Sequence, residues 1–93
     1  MSLRLILADD HKIMREGLRA LLAKQKEIEV IAEAESGRSL VELCALLHPD
    51  VVVIDISMPD LNGIDATRQI VRDDPTVKVI ALPMHSDKKY VKE

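Results

Sequence analysis

A chain of 93 residues has room for one domain, since domains run to about 50–250 residues. Hydrophobic residues are 47% and charged residues 31% of it, the balance of a folding globular chain and not of a disordered tail. The net charge of -3, the lack of a basic block and a single aromatic, Tyr90, argue against direct nucleic-acid binding, because neither counterion release nor base stacking is supplied.

Leu3, Leu5, Ile6, Leu7 and Ala8 form a short apolar run that stops at Asp9-Asp10, the pattern of a strand buried on both faces that ends in a charged loop. From Lys12 to Lys24 the positions Ile13, Gly17, Leu18, Leu21 and Leu22 fall at helical spacing, with Lys12, Arg15, Glu16, Arg19 and Lys24 on the other face and Asp9 or Asp10 as the cap. Val30, Ile31 and Ala32, flanked by Glu29, Glu33 and Glu35, predict a more exposed strand at a sheet edge, with the glutamates as its solvated side.

Ser36 or Ser39 caps a second helix whose inner face carries Leu40, Leu43, Cys44 and Leu47, and Pro49 ends it after a surface His48. Val51-Val52-Val53-Ile54 is β-branched throughout and ends at Asp55, repeating the first strand's pattern. Met58-Pro59-Asp60-Leu61-Asn62-Gly63 predicts a loop, with Asn62 capping a third helix that turns Ile64, the Arg68 stem and Val71 inward. Val77 to Ala81 is the fourth strand.

Strictly alternating strands and helices with short connections imply an α/β, doubly wound parallel sheet with right-handed crossovers. One cysteine excludes an internal disulfide and fits a reducing compartment. With no cleavage pattern at the N-terminus and no apolar run near the ~20 residues of a membrane span, a cytoplasmic location without membrane contact is expected.

Ligands of such sheets bind outside the carboxyl ends of the strands, where Asp9, Asp10 and Asp55 all lie. If the first and third strands are neighbours, about 4.8 Å apart, the three carboxylates crowd one crevice and need a cation or proton between them. A hard divalent cation such as Mg²⁺, with a phosphate, suits that chemistry. The plainer alternative is two helix-capping acids and one strand-ending acid.

Asp9-Asp10-His11, the run Val51 to Asp55 followed by Met58-Pro59-Asp60-Leu61-Asn62-Gly63-Ile64, and Val79-Ile80-Ala81-Leu82 before Met84-His85 together resemble the receiver domain of bacterial response regulators. Ala8-Asp9-Asp10-His11 and Met84-His85-Ser86-Asp87 look most like the NarL/FixJ subfamily, whose members usually carry a LuxR-type helix-turn-helix output domain. The resemblance covers nearly the whole chain. It implies a flavodoxin-like fold with strand order 2-1-3-4, and a domain over residues 1–93 that stops before a fifth strand and an output domain.

The resemblance also implies roles. Asp55 matches the phosphoacceptor, Asp10 the direct Mg²⁺ ligand, Ser57 the position whose backbone carbonyl also ligates the metal, and Asp9 the acid acting through a metal-bound water. Ser57 and His85 match positions that tune dephosphorylation, and the phosphodonor would be a sensor histidine kinase. The resemblance thus implies a signalling switch and not an enzyme, reaching DNA only through the output domain.

Two departures stand out. Pro83 occupies the position where the family places a Ser or Thr that bonds the phosphoryl group, and proline has neither that hydroxyl nor a backbone donor. The family's fifth strand and its lysine are missing, which leaves the fourth strand as an edge that a second copy could pair in a homodimer. These departures favour a rival reading, a degenerate receiver that works as a protein-interaction module without switching. A Mg²⁺-dependent phosphatase or phosphotransferase needs a second acid two residues past its nucleophile, where this chain has Ile56-Ser57. A nucleotide binder needs a glycine-rich loop after the first strand, and three glycines do not make one.

Overall fold

Short runs of aliphatic and β-branched residues form the strands and amphipathic stretches form the helices, in the order β1 (Leu3–Ala8), α1 (Lys12–Ala23), β2 (Ile28–Ala34), α2 (Gly37–Leu47), β3 (Val51–Asp55), α3 (Gly63–Asp73) and β4 (Lys78–Leu82). The computed structural model describes residues 2–55 and 63–82. Of the loop expected over 58–63, Gly63 opens α3 instead, and residues 58–62 with the Asn62 cap, together with Ser57, Pro83 and His85, lie outside the described residues.

All strand pairs are parallel, in the order β2-β1-β3-β4. This is the doubly wound α/β sheet expected from the alternation, in the 2-1-3-4 order that the resemblance implied. Successive side chains point to opposite faces of a strand, so each central strand feeds two cores. Ile6, Ala8, Val52 and Ile54 meet Ala34 of β2, Leu40 and Cys44 of α2, Ala66 and Ile70 of α3, and Val77 on one face. Leu5, Leu7 and Val53 meet Leu18 and Leu22 of α1 on the other. Leu40 is wholly buried; cutting such a leucine to alanine costs about 2–5 kcal/mol.

Two of the three helices correct part of the sequence reading. In α1 only Leu18 and Leu22 of the expected stripe pack on the sheet, whereas Ile13 is 85% exposed and Leu21 61%. Arg15, expected on the solvent face, is buried. The helix is turned so that the Arg15 guanidinium reaches hydrogen-bond acceptors on β1 and β2, which compensates its burial. In α3 the buried pair is Ala66 and Ile70, one turn apart, while Arg68 and Val71 face outward. In α2 the prediction holds: Ser36 is the N-cap, its Oγ accepts the Ser39 N–H at 3.1 Å, and Ser39 Oγ accepts the Ser36 N–H at 3.3 Å. This reciprocal cap satisfies two donors that the first turn would leave orphaned. The helix ends at His48, whose N–H donates to the Cys44 carbonyl and whose left-handed backbone (φ 49) turns the chain out of the helix before Pro49.

β2 runs longer at both ends than Val30–Ala32 and carries a bulge against β1. Leu5 pairs with Val30, but the next residue, Ile6, pairs with Ala32, so Ile31 is the extra residue.

Candidate functional site

β1 and β3 are adjacent, with Ala8 opposite Ile54, so the residues that follow, Asp9 and Asp55, emerge side by side at the carboxyl edge of the sheet. Both are completely buried. The Asp9 N–H donates to the Ala34 carbonyl of β2 at 3.0 Å, which anchors the end of β1. Its carboxylate Oδ1 accepts the His11 N–H at 2.8 Å, turning the chain into α1. The N-cap is His11 itself, and its side chain makes no capping bond. The expected cap by Asp9 or Asp10 is thus replaced by an Asp9 bond placed just ahead of the helix.

Asp10 is partly exposed, and its Oδ1 lies 2.8 Å from Nδ1 of the exposed His11 ring. The same nitrogen is 3.7 Å from Asp9 Oδ1. One ligand atom each from Asp9, Asp10, His11 and Asp55 falls within 4.8 Å of the others. Three carboxylates at that separation repel one another strongly in a partly dry crevice, and a divalent cation relieves this. Their hard oxygens suit Mg²⁺, Ca²⁺ or Mn²⁺ better than a thiolate-seeking metal, so the donor set fits the cation expected from the sequence. Of the expected site residues, Asp9, Asp10 and Asp55 are brought together, and His11 joins them.

The Arg15 guanidinium was missed from the sequence. Nη1 donates to the Asp9 carbonyl at 2.7 Å, Nε to Glu33 Oε1 at 3.2 Å, and Nη2 lies 3.6 Å from Glu35 Oε1. Arg19 Nη1 holds the other Glu33 oxygen at 2.6 Å. Glu33 and Glu35 are therefore partners of α1 as well as edge residues, and the only sequence signal was an arginine six positions after Asp9.

Cys44 and His48 sit at the far end of the strands, in a cleft of about 280 Å³ between α2 and α3 lined by Val41, Ala45, Ile70, Asp73 and Asp74. Burial, and then the nearby Asp74 charge, push the Cys44 thiol up to about 11. The Thr76 hydroxyl, then the Thr76 N–H, and to a lesser degree His48 hold the Asp74 carboxyl below its ordinary value. Cys44 is a protonated core residue, as expected.

A doubly wound parallel sheet that gathers three aspartates at the carboxyl ends of two neighbouring central strands is an α/β domain with its candidate ligand site at the usual edge. The chain belongs to the response regulator receiver domain family, whose model matches residues 5–93. It is 43% identical over 90 residues to the transcriptional regulatory protein DegU of Brevibacillus brevis, covering 97% of this chain and 38% of that protein. Response regulator UvrY of Escherichia coli is 40% identical over 85 residues, 91% of this chain and 39% of that protein. The chain thus spans about two-fifths of the length of these relatives.

Among solved structures, a LuxR-family two-component response regulator from Aurantimonas superposes with a TM-score of 0.86 at 34% identity, covering 99% of this chain and 66% of that one. The signal receiver domain of the putative response regulator NarL from Mycobacterium tuberculosis superposes with a TM-score of 0.83 at 28% identity, covering 98% and 73%. The likeness to the NarL type seen in the sequence is thereby supported. No helix among the described residues is long and apolar enough to cross a membrane.

Proposed function

We propose that this receiver domain accepts a phosphoryl group on Asp55 from a phosphohistidine of a sensor histidine kinase. A carboxylate oxygen of Asp55 forms the new O–P bond as the N–P bond breaks, and the imidazole leaves with the bonding pair. The observation that carries this reading is the burial of Asp55 beside Asp9 and Asp10, within reach of a single ion. Asp10, Asp55 and the Ser57 carbonyl would hold Mg²⁺, with Asp9 acting through a water. When bound, the ion offsets charge on the phosphoryl oxygens. Asp9 and Asp10 keep the crevice anionic, so that an uncompensated second anion is disfavoured without it. Ser57 and His85 are proposed to set the lifetime of the acyl phosphate by steering water.

The relatives named as transcriptional regulators, and RcsB of Salmonella enterica, whose structure is bound to promoter rprA in the presence of phosphomimetic BeF3-, support a role in transcription through an output domain, and the same reading places the protein in the cytoplasm. A second copy of the chain is also proposed as a partner along β4, where Ile80 is half exposed. Pro83 is the observation within this chain that favours the degenerate-receiver reading.

Incubation with a radiolabelled acyl phosphate and Mg²⁺ tests the main reading. The expected result is one base-labile label per chain, lost in Asp55→Asn. A wild type that takes no label would leave the interaction-module reading, and a label that survives in Asp55→Asn would require another acceptor.

A further inference from the structure

The backbone carbonyl of Asp9 accepts a hydrogen bond from a buried guanidinium, and this contact reaches the acid pair from behind. The oxygen of Asp9 and the N–H of Asp10 belong to one rigid peptide plane. Whatever holds that oxygen therefore sets the direction in which Asp10 leaves the end of β1. Arg15 Nη1 holds it at 2.7 Å, and the Arg15 side chain is only 10% exposed. The guanidinium is itself tied down, because Nε donates to Glu33 Oε1 at 3.2 Å and Arg19 braces the other Glu33 oxygen at 2.6 Å. Asp9 is also held on its amide side by the Ala34 carbonyl at 3.0 Å. Both ends of the Asp9 backbone are thus referred to β2, one directly and the other through α1.

We propose that Arg15 is a positioning residue for the acid pair: by clamping the Asp9 carbonyl against Glu33, it orients Asp10 for cation binding. This inference rests on the proposed Mg²⁺ site. Groups that orient ligands from outside the coordination sphere typically change metal affinity by about 10–100-fold when removed. A residue that serves stability alone would lower the melting temperature and leave the affinity of the folded protein untouched.

The test is a Mg²⁺ titration of the chain, followed by calorimetry and by the amide signals of Asp10 and His11, at a temperature well below the melting point of each variant. Arg15→Met keeps the aliphatic bulk and removes the donors. It is expected to weaken Mg²⁺ binding by about tenfold, at the lower end of that range, and to shift both amides. Arg15→Lys restores one donor toward the carbonyl but not the fork to Glu33, so affinity should recover while thermal stability does not. Glu33→Gln leaves Arg15 in place with a weaker anchor, and a smaller loss of affinity is expected; it serves as the readout if Arg15→Met does not fold. Wild-type affinity in a folded Arg15→Met, or in Glu33→Gln when that is the variant available, overturns the proposal. A wild type that binds no Mg²⁺ overturns the metal site along with it, so the two failures are told apart by the wild type alone.

Discussion

Asp9 and Asp55 occupy matching positions on neighbouring parallel strands, each directly after the paired residues Ala8 and Ile54, and neither side chain reaches solvent. These two acids and Asp10 lie within reach of one ion, and ionised carboxylates at such spacing repel unless a cation or proton lies between them.

Asp10→Asn is therefore expected to raise the melting temperature measured in chelator, by the equivalent of about 1 kcal/mol, because it removes one charge from a partly solvated cluster. In wild type, Mg²⁺ should stabilise the fold by about 2.7 kcal/mol at a hundred times its dissociation constant, and raise the melting temperature accordingly. The same addition should do far less in Asp10→Asn. Parallel Mg²⁺ dependence of the two melting curves would show that Asp10 is not a ligand.

The Cys44 thiol gives a pH signature on the other side of the fold. Its value is raised from 9.0 to about 11, chiefly by burial, so the folded state favours the neutral form. That contribution is fully present below pH 9, the unfolded value, and is lost as the pH rises through 11. Urea midpoints should fall more steeply over this window in wild type than in Cys44→Ala, where the other titrating groups are unchanged. Alkylation of native protein at pH 8 should be slow and should accelerate on unfolding; rapid labelling without unfolding would contradict the burial.

Leu82 pairs with Asp55 in the register of β3 and β4, and Pro83 is the next residue in the chain. A phosphoryl group on Asp55 can shift a conformational equilibrium only through contacts that differ between two states, and a proline side chain offers it no hydrogen bond. Pro83→Ser is expected to enlarge the phosphorylation-induced amide shifts around Met84 and Tyr90. Equal shifts in the two proteins would show that position 83 does not limit the coupling.

Much of this molecule is written in local pattern. The alternation of apolar runs with amphipathic stretches determined the doubly wound class, because strands buried on both faces read as unbroken β-branched runs and their crossovers must be helical. Ser36 and Pro49 marked the ends of α2 through the chemistry of capping and of a missing backbone donor. Asp9, Asp10 and Asp55 could be placed at the carboxyl edge because each directly follows such a run.

What the pattern could not contain was the rotation of α1 and the phase of β2. A period of two along β2 places Glu33 on the opposite face from Val30, yet both lie on the side of α1, because the bulge at Ile31 inserts one unpaired residue and reverses the alternation beyond it. That reversal gives Arg15 a carboxylate to bury against. The contact between Arg15 and the Asp9 carbonyl depends on the pairing of two strands and the seating of one helix. Tertiary structure alone decides it, since an arginine six residues after an aspartate has no local reason to return to its backbone.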